Sequence, residues 1–360
     1  MSDFKPGLEG VVAFETEIAE PDRDGGALRY RGVDIEDLVG VVPYEQVWGL
    51  LVDNQPKPGL QPAPPYRAEG LTGNAPADLQ AVTAHLSGEW GLGQLIDISD
   101  ADARVDLARL SATMISVVAQ SARVADGTTA PVNPDLVATG ATAATRFLLE
   151  WRGEADPKHV QAIDTYWICT AEHGLNASTF AARVVASTGA DCGASLSAAV
   201  GALSGPLHGG APARVLPMLD GAAAADSVEQ YVKDLLDSGD RLMGFGHRVY
   251  RAEDPRARLL RGTAMDLGSP RFAVAEELER VALSELHARK PDRVLATNVE
   301  FWSAVVLDVA DIPPRLAPAM FACSRTAGWS AHIVEQKQLG RLVRPAARYI
   351  GPGPRSLPAS

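Results

Sequence analysis

The sequence lacks most of what would place it in several common protein classes. Only three cysteines occur among 360 residues, Cys169, Cys192 and Cys323, far apart and without C-x-x-C spacing. A disulfide framework and a cysteine zinc site are therefore not expected, and a reducing, cytoplasmic setting fits. None of the seven histidines falls in a metal-ligand spacing such as H-E-x-x-H, so no metal is expected. Basic charge is also short: 33 Lys and Arg stand against 45 Asp and Glu, a net charge of -12. General binding to nucleic acid or to an anionic membrane surface calls for a basic face and is not expected. The start, M-S-D-F-K-P-G, has no apolar signal segment. The longest nearly charge-free run, Cys192 to His208, is too short to span a bilayer and is interrupted by Gly and Pro. Strand patterns of useful length are nearly absent after the first 30 residues, and no G-x-G-x-x-G follows a strand. A doubly wound dinucleotide-binding fold is thereby excluded.

What remains is an ordinary soluble composition, 46% hydrophobic and 22% charged, in a chain long enough for a large core and two lobes. The predicted fold class is all-α. Alternation in G-L-E-G-V-V-A-F-E-T-E-I-A suggests a short strand or extended arm, and Asp24-Gly25-Gly26 a turn. Asp34 is a candidate N-cap, with Ile35, Leu38 and Val39 on one face of a short helix. Residues 54–78, rich in Pro, Gly, Asn and Ala, read as a surface loop. Helical periodicity is predicted over Ala77–Leu86, Ala101–Ala122, Pro134–Trp151, Pro157–Ala171, Pro255–Leu267 and Ala275–Arg289, with a further long helix after the proline-rich turn at Asp311–Pro314. The small-residue stretch 192–203 suits close helix packing, in a core or across a symmetric interface.

Chemistry concentrates between Ser204 and Arg258. S-G-P-L-His208-G-G-A-P and G-F-G-His247-R-V-Y-R-A-E-D-P-Arg256-A-R each place a histidine beside glycines, where the backbone can bend sharply and approach a ligand. Pro212 reads as a first helical residue, and Asp254-Pro255 as the cap and first position of another helix. Arg256 then sits in a helix's first turn, where free amides and the dipole favour an anion. One such histidine is most simply a turn residue. Two of them, the second followed by Arg248, Arg251, Arg256 and Arg258, are harder to explain as packing.

These segments, G-x-L-x-G-P-L-H-G-G-A and M-G-F-G-H-R-V-Y-x-x-x-D-P-R-A, resemble the two signatures of the citrate synthase family. The resemblance runs from G-L-E-G-V-V-A near the start to R-P-x-x-x-Y-x-G near the end. It implies a large helical domain built from both chain ends (1–209 and 321–360) and a smaller inserted one (210–320). It implies a homodimer of the short type, acting on oxaloacetate and acetyl-CoA, with the coenzyme A thioester as substrate and no other cofactor. The enzyme would be an acyltransferase that converts the acyl group to an alkyl group on transfer. By resemblance, His208 stabilises the thioester enolate, His247 binds the oxaloacetate ketone, and His173, within E-H-G-x-N-x-S-T-F, contacts oxaloacetate. Arg256 and Arg325 clamp its carboxylates, Arg344 reaches in across the dimer interface, and Arg251 contacts the coenzyme A phosphates. The family's usual N-V-D-F, whose aspartate is the base, is here N-V-Glu300-F. Glu300 is the candidate base with one extra methylene, and a shift of about 1 Å at a reacting group costs roughly a hundredfold in rate. A 2-methylcitrate synthase using propionyl-CoA and a weakly active ligand-binding relative are the alternatives.

Overall fold

The computed structural model describes residues 4–22, 24, 26–128, 130–209, 214–246, 253–292 and 295–356. His247, Arg248, Arg251 and Pro212 lie outside them. The N-terminal arm is extended after a 3-10 turn at Pro6–Leu8 and forms no strand before Ala19. A small antiparallel sheet follows, β1 (Ala19–Asp22), β2 (Ala27–Tyr30) and β3 (Val33–Asp34), in that order, with Tyr30 opposite both Ala19 and Val33. Asp34 caps a 3-10 turn at Ile35–Asp37 by accepting from Glu36 N at 3.0 Å.

The rest is helical, as the all-α reading expects. The helices are α1 (Tyr44–Asp53), α2 (Ala75–Glu89), α3 (Asp100–Ala125), α4 (Pro134–Ala138), α5 (Ala143–Arg152), α6 (Pro157–Thr170) and α7 (Ala177–Ser187). They continue with α8 (Cys192–Leu203), α9 (Val215–Ala224), α10 (Val228–Asp237), α11 (Pro255–Asp266), α12 (Phe272–Arg289), α13 (Val299–Val309) and α14 (Ala317–Leu339). The segment predicted as one helix from Pro134 to Trp151 is two. Thr142 adopts an extended conformation and caps α5 by accepting from Thr145 N at 3.1 Å, so a new helix starts where the apolar period alone shows no break.

Helix α6 is the hub. It packs against α1, α5, α11, α13 and α14, and Ala162, Ile163, Tyr166, Trp167, Ile168 and Cys169 are all buried. A helix that is apolar around most of its circumference belongs inside a core. Helices α9, α10 and α12 pack on one another, α9 also meets α13, and α11 and α13 join this group to α6. The β-sheet is tied to the same hub. The Tyr30 hydroxyl, fully buried, lies 2.9 Å from Ile168 O and 3.1 Å from Glu172 O, and accepts from Glu172 N at 3.3 Å.

Replacing Tyr30 by Phe strips that amide and those carbonyls of their partner without a large change in shape. A buried group left unpaired costs about 1–3 kcal/mol. The expected result is an unfolding free energy lowered by that amount in urea denaturation, with the m-value unchanged.

Candidate active site

Four chain segments converge around the N-terminal ends of α7, α11 and α13 and the middle of α14. The first is the turn between α6 and α7. Gly174 ends it with φ +67, and Asn176 caps α7 by accepting from Ser178 N and Thr179 N, both at 3.1 Å. This turn places Glu172, fully buried, beside His173, which is half-buried.

The second is the turn after α8, closed by His208 N to Gly205 O at 3.0 Å and Gly209 N to Leu203 O at 2.9 Å. It presents His208 with Nε2 at 2.9 Å from Ser178 Oγ. That hydroxyl also receives the Trp329 indole N–H at 3.2 Å. Asn176 Oδ1, which accepts two amides, also accepts from the same hydroxyl at 2.8 Å. With the one Ser178 proton turned to His208 Nε2 instead of to Asn176 Oδ1, the neutral imidazole carries its proton on Nδ1. Burial, with the Arg325 charge adding to it, pulls the His208 pKa down to about 4. The ring is thus neutral at physiological pH.

The third segment is the junction of α11 and α13. Gly244-Phe245-Gly246 pairs with 296–298: Phe245 bridges Thr297, Gly246 N donates to Ala296 O at 2.8 Å, and Asn298 N to Gly244 O at 2.9 Å. Asn298 also grips Gly246 O through Nδ2 at 2.9 Å and caps α13 by accepting from Glu300 N at 3.0 Å. The two glycines have φ +88 and +87, and a Cβ on Gly244 would lie 2.6 Å from Phe301 Cβ. The segment leading into His247 is therefore zipped to the segment leading into Glu300. Asp254, 1% exposed, caps α11 through Arg256 N at 3.1 Å and accepts from Val299 N, at the start of α13, at 3.0 Å. It also holds the buried Arg256 guanidinium in a two-point pair, Nε to Oδ1 at 2.9 Å and Nη2 to Oδ2 at 2.8 Å. Burial raises the Glu300 pKa to about 7; Arg256 opposes the rise and Asp254 adds to it.

The fourth is α14. Phe321, Arg325, Trp329 and His332 recur every three or four residues and so share a face. Arg325, 2% exposed, donates from Nε to Thr170 O at 2.9 Å and lies 4.7 Å from the centre of the Phe321 ring, against which His208 sets its edge at 6.1 Å. Burial lowers the pKa of its guanidinium, and the nearby Glu172 charge works against that. Glu172 stays ionised below the usual carboxylate range despite full burial, because His332 and Arg325 face it. His332 Nε2 lies 3.4 Å from Glu172 Oε1, while its Nδ1 faces an Arg183 Nη at 2.9 Å. Since arginine only donates, Nδ1 accepts and Nε2 carries the proton toward Glu172. A Cβ on Gly328 would overlap Glu172 Oε2 and lie 2.7 Å from Ala171 O.

Of the residues singled out from sequence, His173, His208, Arg256, Glu300 and Arg325 thus lie on elements that meet here. His247 and Arg251 fall outside the described residues, though Gly246 brings the chain to the site's edge. Arg344 is exposed in the extended tail, next to Val343, whose amide donates to Ser187 Oγ at 3.0 Å. It makes no hydrogen bond or ion pair among the described residues. The sequence reading did not single out Ser178, Glu172, His332 or Asn298. The period of C-S-R-T-A-G-W-S-A-H signals the shared α14 face, but the others depend on contacts between distant segments. Among the described residues no group of three or more His, Cys, Asp and Glu side chains is gathered as a metal site requires.

The cluster can neutralise a dianion, hold a neutral imidazole as a hydrogen-bond donor, and offer a carboxylate near neutral pH to take a proton. The chain matches the family model described as citrate synthase, C-terminal domain, over residues 7–346. It is 60% identical over 356 residues to a Mycobacterium tuberculosis protein named as a second citrate synthase, covering 98% of this chain and 95% of the other. It is 36% identical to the citrate synthase of Haloferax volcanii, covering 97% and 96%. Among solved structures it resembles the citrate synthase of Thermoplasma acidophilum in ternary complex with carboxymethyl coenzyme A and oxaloacetate. That match has a TM-score of 0.82 and 26% identity, and covers 99% and 98% of the two chains.

Gly328→Ala must push α14 away from the Ala171–Glu172 turn. A loss of about 1–3 kcal/mol is expected. Gly262→Ala is the control: it lies within α11, and its Cβ would meet nothing within 4 Å, so it is expected to gain about 0.5–1 kcal/mol. Chemical denaturation of both variants checks the contrast.

Proposed function

The chain belongs to the citrate synthase family, and from that premise we infer how its buried cluster carries out the family's reaction. The reaction joins acetyl-CoA to oxaloacetate and hydrolyses the resulting thioester, giving citrate and coenzyme A. In our reading Glu300 takes a proton from the acetyl carbon, and His208 donates from Nδ1 to the thioester oxygen as it gains enolate charge. The enolate carbon then forms a bond to the oxaloacetate keto carbon, while His247 supplies the proton to the keto oxygen. Water then displaces coenzyme A from the citryl thioester. Arg256 and Arg325 hold the oxaloacetate carboxylates, each as a planar fork suited to two oxygens. His173 contacts the same substrate, Arg251 the coenzyme A phosphates, and Arg344 completes the site of a neighbouring copy in a homodimer.

The observation that carries this reading is that His208 and Glu300 lie on elements that meet around Arg256 and Arg325, where burial lowers the pKa of the one and raises that of the other. A histidine held neutral can stabilise an enolate by donation without first losing a charge, and a carboxylate near 7 is a matched base at physiological pH. A lobe of residues 210–320 closing on the remainder, 1–209 with 321–360, would exclude water during condensation. The three thiols are free and buried, which supports a cytoplasmic location, and no described helix is long and apolar enough to cross a membrane. The reading uses no metal and no cofactor beyond the thioester substrate.

Release of free thiol from acetyl-CoA and from propionyl-CoA, each with oxaloacetate, tests the proposal. Faster release from acetyl-CoA is expected. A clear preference for propionyl-CoA reassigns the substrate to the 2-methylcitrate type, and no release by folded, oxaloacetate-binding protein overturns the catalytic reading. Glu300→Gln is expected to lower kcat by about 10²–10⁴, whereas Glu300→Asp keeps the carboxylate and retains activity. Because the base works ionised and its pKa is raised to about 7, kcat/KM should rise with pH through about 7 and level off above it. A flat profile between pH 5.5 and 8 would remove Glu300 from the role.

A further inference from the structure

A cavity of about 1060 Å³ is lined by residues of α3, α4, α5 and the 60–71 segment, and shares no residue with the catalytic cluster. Its outer wall is the 60–71 segment, in which Pro62, Pro64 and Pro65 rule out a helix that would otherwise cover α3 and α5. This wall is not loose. Gln120 of α3 donates from Nε2 to Tyr66 O at 2.8 Å and accepts from Ala68 N at 3.0 Å. The floor is apolar, with Ile115 of α3, Phe147 of α5 and Val137 of α4 all lining it. Into this surface comes the carboxyl group of Glu150, which accepts from Ser116 Oγ at 2.7 Å and from Gln120 Nε2 at 3.1 Å, while the exposed Glu69 lines the outer wall.

We propose that this cavity is a binding site for an uncharged, mainly apolar small molecule, its hydrogen-bonding head at Glu150 and its body against Ile115, Val137 and Phe147. The volume suits a drug-sized ligand, since such sites run to about 300–1,000 Å³, and a mostly apolar pocket with a few convergent polar groups is the usual form of one. Of the charged groups lining the cavity, Arg67 and Glu69 are solvent-exposed, and the two arginines beside its floor are already matched. Arg146 pairs with Glu45 at 3.0 Å, and Arg123 gives its two Nη groups to Trp151 O and Ala130 O, each at 2.9 Å. A charged group placed at the floor would have to displace one of these pairings. Glu150 itself, raised to about 7 by burial, can both donate and accept near neutral pH, which suits an amide, hydroxyl or amine head.

The test is fluorescence titration of the full chain with N-phenyl-1-naphthylamine, uncharged at pH 7, in parallel with the anionic probe 8-anilinonaphthalene-1-sulfonate. Saturable binding of about one neutral probe per chain is expected, undiminished by saturating oxaloacetate and acetyl-CoA. Ala63→Trp and Val137→Trp each place an indole in the cavity from a different wall. Each is expected to weaken the neutral probe by at least about tenfold, while thiol release and melting temperature stay as in the parent. Non-saturable binding, equal affinity in both tryptophan variants, or displacement by the substrates would overturn the site. Equal or tighter binding of the anionic probe would overturn the class of ligand.

Discussion

The arrangement of the site depends on one buried carboxylate, Asp254. It accepts from the first turn of its own helix, from two N–H groups on one edge of the Arg256 guanidinium, and from the first amide of α13. At 1% exposure such a group persists only because its lone pairs are filled, and removing one partner of a buried pair leaves a charge whose desolvation is no longer offset, at a cost of about 3–5 kcal/mol. The consequence is geometric as well as energetic. A candidate anion clamp and a candidate base, 44 residues apart in sequence as Arg256 and Glu300, are held in one frame because the same carboxylate anchors the start of both helices.

Around that frame, exclusion of water does most of the electrostatic work, and in opposite senses. Burial disfavours whichever form of a group is charged. It therefore drives His208 down and Glu300 up, and both results suit the proposed reaction, which needs a neutral donor and a basic carboxylate together. Glu172 is the exception that shows the rule's limit. Its burial is complete, yet it remains ionised, because His332 and Arg325 oppose its desolvation. Its charge in turn supports the buried Arg325. The pocket thus holds a countercharged floor beneath groups that are left to titrate.

Local chemistry was legible in the sequence and long-range pairing was not. Asp254 could be read as an N-cap because a cap acts within three residues; its grip on Val299 could not. Gly244 and Gly246 were read as bend residues, and both have positive φ, but their pairing with 296–298 joins segments about fifty residues apart and leaves no local trace. Ser178 carried no local signal of function, and its contact with His208 follows from tertiary packing. The break at 139–142 was missed for the converse reason: the apolar period continues across it, so only the extended Thr142 reveals two helices. The stripe through Phe321, Arg325, Trp329 and His332 was present in the sequence as period, but without the turn at 171–173 opposite it there was no reason to read that face as functional.

The glutamate at position 300 can be weighed against this geometry. An extra methylene could be absorbed in two ways, by moving the backbone back or by folding the longer side chain. The start of α13 has little freedom to move. Its first amide is held by Asp254, its second by Asn298, and Asn298 is tied through its own amide and side chain to Gly244 and Gly246. Phe301, the next residue, packs against the glycine at 244 so closely that even a methyl group there would collide. None of these restraints involves the side chain at 300. The backbone therefore sits where it would for either carboxylate, and the added reach must be taken up by rotamer choice within a buried pocket. A glutamate has one more torsion to fix than an aspartate, so the pocket walls, Tyr166 on α6 and Arg256 on α11 among them, have to supply the orientation that a shorter side chain would receive from its backbone.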